Sequence, residues 1–307
     1  MRAPRYTGVR TFARCPHVRD LDGVDVAVVG VPFDTGTSFR VGARFGPEAV
    51  RSGSTLLRPY NAGLGVDVFA TQSVVDYGDL EVTPGDTLRS LEQIADGLRP
   101  IAQAGVTAIA VGGDHTIALG ELRAHAAVHG PLALVLLDAH VDTNDEYYGQ
   151  RYFHGTPFRR AVEEGLIDAN RSIMAGMRGS TYDDREWEAP REMGMEVIPC
   201  EELRTLSAPE YGRRAREKVG RGPAFLSFDI DVVDPGFAPA TGTPEVGGLL
   251  PHEALAFVRS LAGLDFRAFD VVEVSPQLDG PAQVTAMLAA NVAHEMLGLR
   301  LLRDANP

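Results

Sequence analysis

Apolar residues gather in five short runs: Val24 to Val31, Val106 to Val111, Leu132 to Leu137, Ala224 to Phe228 and Phe269 to Val274. Each is close to unbroken and has the length of a strand buried on both faces. Between them, Thr87 to Ala104, Ile117 to His129, Thr156 to Gly165 and His252 to Ala262 carry apolar residues at helical spacing. Strand, helix and strand repeated in this way predict parallel pairing through right-handed crossovers. The expected fold class is α/β: a three-layer α/β/α sandwich with a mainly parallel central sheet. No Pro/Gly/Ser linker, internal repeat or low-complexity tract interrupts the pattern, so residues 1–307 are expected to form one domain, with residues 1–23 an N-terminal extension packing on it. The last helix, Ala282 to Leu302, is assigned to the core rather than to an interface.

Composition narrows the function classes. Apolar residues make up 44% and charged residues 23%, the profile of a soluble globular chain. A net charge of −13 argues against nucleic acid as the main partner, because phosphate contacts need clustered Lys and Arg; the acidic field suits a cationic ligand. Cys15 and Cys200 form neither a disulfide framework nor a metal or redox spacing, which fits a reducing cytoplasm. The basic start, MRAPRYTGVRTFARCP, is followed by no apolar segment of signal-peptide type, and no run approaches the roughly 20 apolar residues of a membrane span. A cytoplasmic protein with no membrane partner is expected.

In sheets of this kind ligands bind beyond the carboxyl ends of the strands, so the polar residues that follow each run are the ones to examine. After Val111 comes Gly112-Gly113-Asp114-His115-Thr116; after Leu137 comes Asp138-Ala139-His140-Val141-Asp142; after Phe228 comes Asp229-Ile230-Asp231. Side chains two apart in extended backbone point the same way, so each set converges. Four carboxylates and two imidazoles exceed what a tetrahedral zinc site uses, and the absence of cysteine suits a harder, octahedral ion such as manganese. Two metals are the natural count, since four uncompensated carboxylates in one pocket could not all ionise.

These three motifs, with Ser227 to Pro235 as a block, resemble the signatures of the ureohydrolase (arginase/agmatinase) family, in its agmatinase-like branch. Gly30 to Asp34, Gly42 to Pro47, His154 to Phe158, Thr241 to Pro244 and Glu273 to Pro276 are similar to agmatinase-type sequences in the same order. The resemblance implies two Mn2+ ions per subunit: one held by His115, Asp138, Asp142 and Asp229, the other by Asp138, His140, Asp229 and Asp231. It also implies a homo-oligomer, a trimer or hexamer, and hydrolysis of a guanidino group to urea and an amine.

The expected chemistry follows from such a pair, because two divalent ions about 3.5–4 Å apart bring a shared water's pKa toward neutrality. Glu273 resembles the family glutamate that pairs with the guanidinium. Asp142 is expected to relay a proton, His154 to shuttle protons between solvent and site, and Thr243 to hydrogen-bond the substrate. The loop Thr143 to Phe153 is expected to shape the far end of the pocket through Asn144, Tyr147, Tyr148, Arg151 and Tyr152. Agmatine, whose amine product is the polyamine precursor putrescine, is the leading substrate and favours an acidic wall at Asp145 or Glu146. A guanidino acid, as in guanidinobutyrase or proclavaminate amidinohydrolase, favours Arg151 instead. Gln277-Leu278-Asp279-Gly280 departs from the Tyr-Asp-His run that usually follows in agmatinases and puts agmatine in doubt. Deacetylases of this fold, with one zinc and fewer carboxylates, and a non-catalytic metal-binding relative are the other classes.

Overall fold

The computed structural model describes residues 4–303. Eight strands form the central sheet: β1 (Val26–Val31), β2 (Val74–Asp79), β3 (Thr107–Gly112), β4 (Ala133–Leu137), β5 (Ile173–Met177), β6 (Glu196–Pro199), β7 (Ala224–Asp229) and β8 (Phe266–Val272). Their order is β2-β1-β3-β8-β7-β4-β5-β6, and every neighbouring pair runs parallel. The chain passes from β3 to β4, leaving two places that the last strands, β7 and β8, come back to fill. The carboxyl ends of β3, β8, β7 and β4 therefore lie side by side in the middle of the sheet, where a doubly wound fold opens its crevice.

Seven longer helices flank the sheet: α1 (Gly46–Ser54), α2 (Thr87–Gln103), α3 (Ile117–His129), α4 (Pro157–Glu163), α5 (Ala208–Val219), α6 (Pro251–Ser260) and α7 (Val284–Leu301). Successive strand residues feed opposite layers: Val135 and Leu137 pack with α1, α5, α6 and α7, whereas Leu134 and Leu136 pack with α2, α3 and α4. Both faces are covered, which is why the strand sequences are apolar throughout rather than alternating. Each fully buried Val or Leu contributes about 1.5–3 kcal/mol against the entropy of ordering the chain. Local signals set the helix ends: the Asp86 side chain accepts from the Arg89 N–H at the start of α2, and Ser207 with Glu210 forms a capping box on α5.

The last helix is core, as expected, with Leu288, Val292, Met296 and Leu299 buried where it lies against α1 and α6. Of the N-terminal segment, residues 1–3 lie outside the described residues. Phe12 is fully buried, its N–H donates to Asp76 Oδ2 at 2.7 Å, and the Val18 N–H donates to the Asp76 carbonyl at 3.1 Å, so this stretch lies against β2. Three strands, β2, β5 and β6, and two helices, α1 and α5, are absent from the expected set. β2 and β6 are the two edges, where polar residues interrupt the apolar run; β5 is only five residues long and carries Gly176 one place from its end; α5 (APEYGRRAREKV) is mostly polar with a narrow buried stripe of Tyr211, Ala215 and Val219.

Candidate metal centre

Four strand ends supply the site. β3 delivers Asp114 and His115, β4 delivers Asp138, His140 and Asp142, β7 delivers Asp229 and Asp231, and β8 delivers Glu273. Glycine makes the first turn possible: a Cβ on Gly113 would stand 2.2 Å from the Phe33 carbonyl, so only glycine lets the chain after β3 pass beneath that loop. Asp142 and Glu273 both adopt positive φ, +49° and +64°, a conformation that costs non-glycine residues about 1–3 kcal/mol and is retained where the surroundings over-determine it.

His115 Nδ1 stands 2.8 Å from Asp142 Oδ2, 3.1 Å from Asp138 Oδ2 and 3.3 Å from Asp229 Oδ2. His140 Nδ1 stands 3.1 Å from Asp231 Oδ2 and 3.5 Å from Asp138 Oδ1. Two ligand groups result, His115–Asp138–Asp229 and Asp138–His140–Asp231, sharing Asp138. Asp229 joins the first group only, so Asp138 is the bridge this arrangement displays.

Among the described residues, His115 Nδ1, Asp138 Oδ2 and Asp231 Oδ2 are buried without a hydrogen-bond partner, and all three belong to this cluster. Unpaired buried donors and acceptors of this kind are costly unless a cation meets them. Burial and the Asp138 charge push Asp142 up to about 6. Burial, Asp231 and Asp138 hold Asp229 well above the usual carboxylate range. For His115 burial acts downward, but Asp138, Asp142 and Asp229 outweigh it and raise the imidazole well above its ordinary value. Left to itself the cluster holds protons where two divalent ions would balance the charge. Nitrogen and oxygen donors without sulfur suit hard or borderline ions.

A cavity of about 580 Å³ opens over the cluster. His140, Asp142, Asp229, His154 and Thr243 line it, as do Asn144 and Tyr148. Tyr148 is 82% exposed. Glu273 is not on the wall but behind it, 1% exposed, with Oε1 accepting from the His115 N–H at 2.9 Å and Oε2 free of any hydrogen bond. His154 Nδ1 meets the same Oε1 at 2.9 Å, while its Nε2 lies 3.1 Å from the Ser38 N–H and 2.8 Å from Ser38 Oγ.

Arg151 and Tyr152 are not brought to the cavity. Arg151 pairs with Glu163 of α4 at 3.0 Å, and Tyr152 packs on the apolar layer beside α2, α3 and α4. Asp145 pairs with Arg160 at 2.5 Å, and neither it nor Glu146 reaches the wall. Residues from other loops stand there instead: Ser38, Phe39, Arg40, Tyr182, Glu186 and Glu245. Tyr147, in the expected loop, anchors this group by stacking on Phe153 with ring centres 5.3 Å apart and meeting Tyr182 edge-on at 5.5 Å.

Arg178 supports the site from below. Its guanidinium donates to the carbonyls of Asp231 and Glu245 at 2.6 and 2.7 Å, and to those of Val232, Val246 and Gly176 at 3.1, 3.2 and 3.3 Å. It thereby ties the turn that carries Asp231 to the cavity rim. No sequence motif announces it, because all five partners are backbone.

A fully parallel, doubly covered sheet with two overlapping carboxylate–histidine ligand groups at its central carboxyl ends defines an α/β protein built around a binuclear metal centre. The arginase family model matches residues 24–298, and the chain belongs to the arginase family, the ureohydrolases. It is 43% identical to a guanidinobutyrase of Pseudomonas aeruginosa, over 96% of this chain and 93% of that protein. It is also 43% identical to a mitochondrial agmatinase of Gallus gallus, over 95% and 86%. The solved proclavaminate amidinohydrolase of Streptomyces clavuligerus superposes with a TM-score of 0.94 at 42% identity, covering 98% of this chain and 100% of that one.

Proposed function

We propose that this chain hydrolyses the guanidino group of a small linear guanidine compound to urea and an amine, with two Mn2+ ions per subunit. The observation that carries the reading is the pair of ligand groups sharing Asp138 at the floor of a cavity large enough for such a substrate. His115, Asp138, Asp142 and Asp229 would hold one ion, and Asp138, His140 and Asp231 the other, with Asp229 at its margin. Bound ions of this kind supply a water of near-neutral pKa as nucleophile.

The chain's own groups do the rest. Glu273 Oε2, buried and unpaired, orients the planar guanidinium, and the fixed carboxylate keeps the substrate carbon over the site. The leaving amine needs a proton, and His154 is placed to move one: its Nδ1 is held by Glu273 and its Nε2 by Ser38 at the cavity wall. Asp142, beside His115 on the same floor, relays the proton taken from the water. Thr243 hydrogen-bonds the substrate from the rim, where Asn144 and Tyr148 also stand.

Agmatine is the first substrate to test, its distal ammonium facing Glu186 and Glu245 at the wall. A guanidino acid is the second, favoured by Arg40, the one Lys or Arg among the described residues that line the cavity, whose guanidinium lies over the Phe39 ring at 5.1 Å. We take residues 1–307 as one domain, acting as a homo-oligomer in the cytoplasm. Among the described residues no helix is long and apolar enough to cross a membrane. Urea release by the manganese-loaded protein from agmatine, 4-guanidinobutyrate and 3-guanidinopropionate decides the matter: agmatine turnover supports the acidic wall and acid turnover the Arg40 side. No urea from any of the three, with Asp138→Asn equally inactive, would reject the assignment.

A further inference from the structure

Beneath the ligand groups a polar path enters a layer that is otherwise apolar. Alternation along the strands sets its members. In β7, Phe225 faces the layer of α2, α3 and α4, so Ser227 and Asp229 face it too; in β8, Ala268 and Val272 do so, and Asp270 lies between them. α3 closes this layer from outside and contributes Glu121, two turns beyond the strand end that carries His115. Ser227, Asp270, Glu121 and His115 are all 0% exposed.

Their hydrogen bonds have a direction. Asp270 Oδ1 accepts from Ser227 Oγ at 2.7 Å and from the Phe228 N–H at 3.2 Å. A carboxylate is acceptor only, so the single hydroxyl proton of Ser227 is committed to Asp270. The contact of 2.7 Å between Ser227 Oγ and His115 Nε2 must then have the imidazole as donor. That places a proton on Nε2 and makes Nδ1, the atom facing Asp138, Asp142 and Asp229 without a hydrogen bond, the nitrogen that gives up its proton when a cation binds. The form that remains is the tautomer a metal needs from this histidine.

Glu121 bears on which carboxyl holds the charge. Both its oxygens, and Asp270 Oδ2, are buried without partners. A dry layer does not keep two carboxylates ionised, and the one with donors keeps the charge. Asp270 has two donors and Glu121 none. Burial and Asp270 accordingly hold Glu121 well above the usual range, while burial takes Asp270 only to about 6.

We propose that Asp270 is a positioning residue for the metal centre: acting through Ser227, it fixes the His115 ring with its Nε2–H donated to Ser227 and its Nδ1 aimed at the first ligand group. The inference rests on the two-metal reading and is independent of which guanidine compound is turned over. It concerns metal affinity, so it is tested without substrate.

The dissociation constant for Mn2+, read from the signal of the free ion, is measured for the wild type and for Ser227→Ala, Asp270→Leu, Asp270→Asn and Glu121→Gln. Ser227→Ala and Asp270→Leu should weaken binding about 10–100-fold, the usual effect of removing an outer partner of a ligating histidine. Asp270→Asn, whose side-chain carbonyl still accepts from Ser227, should recover most of that loss, and Glu121→Gln should leave affinity unchanged. In protein loaded with diamagnetic Zn2+ and labelled with 15N histidine, the His115 Nε2 proton should be visible and slow to exchange, and lost in Ser227→Ala. Unchanged affinity in Ser227→Ala, a variant too small to endanger folding, or a His115 ring without a proton on Nε2, would overturn the proposal. Failure of the wild type to bind Mn2+ at all would instead bring down the reading beneath it.

Discussion

Glu273 and His154 share one bond, Oε1 to Nδ1 at 2.9 Å, and the same oxygen accepts the His115 N–H at 2.9 Å. One carboxylate oxygen thus couples the histidine at the cavity wall to the backbone of a candidate metal ligand, leaving Oε2 without a hydrogen bond. The pair also explains why His154 is raised above its ordinary value: burial acts downward, and the hydrogen bond and charge of Glu273 outweigh it.

Glu273→Gln should separate these duties. The amide oxygen can still accept from the His115 N–H, so the backbone turn survives, but the charge proposed to hold the guanidinium is gone. Losing one partner of a buried charged pair costs about 2–5 kcal/mol, so kcat/KM should fall by at least about 30-fold. Mn2+ binding should not change, because Glu273 belongs to neither ligand group. Steady-state urea assays beside a metal titration check both; weakened metal binding would show that Glu273 serves the metal centre instead.

His154→Asn removes the proposed proton carrier and leaves a polar group against Ser38. General acid–base groups are worth about 10²–10⁴-fold, so kcat should drop by about 10² or more with KM nearly unchanged. A rise in KM with kcat preserved would make His154 a binding residue.

The six ligand candidates could be read from the sequence because apolar strands deliver polar residues at their carboxyl ends, a relation of near neighbours in the chain. Their supports could not. Asp270 and Ser227 meet across 43 positions, Arg178 reaches carbonyls 53 to 68 positions away, and Ser38 meets His154 across 116. Arg151 misled for the opposite reason: a partner only 12 residues on, Glu163, draws it onto α4 and out of the cavity. The fold followed the same rule, since runs buried on both faces were legible and edge strands such as β2 and β6, diluted by polar residues, were not.

Arg178→Ala should cost more stability than a typical point change. The side chain is 8% exposed and serves five carbonyls, of which those of Asp231 and Glu245 are the shortest contacts. Hydrogen bonds to a charged group are worth about 1.5–3 kcal/mol each, so even two uncompensated carbonyls imply a loss of about 3 kcal/mol or more in denaturant unfolding. Mn2+ affinity should fall as well, because the Asp231 turn loses its anchor. A variant as stable as the wild type would mean that water replaces the guanidinium without cost.

Metal and protons should compete at this centre, and the sign follows from the carboxylates. In the metal-free protein Asp142 is pushed up to about 6 by burial and by Asp138, and Asp229 lies well above the usual range through burial, Asp231 and Asp138. A group raised in this way keeps its proton below its pKa, whereas a cation requires it charged, so binding releases protons and strengthens as pH rises. Each proton displaced should cost about tenfold in apparent affinity per pH unit below the relevant pKa. Mn2+ affinity should therefore be lower in mildly acidic than in mildly alkaline buffer. Calorimetric titrations in buffers of different ionisation heat should record proton release that grows as pH falls toward the Asp142 value. Equal affinity at both pH values, with no proton release, would mean that neither the carboxylates nor His115 and His140 carry a displaceable proton in the metal-free protein.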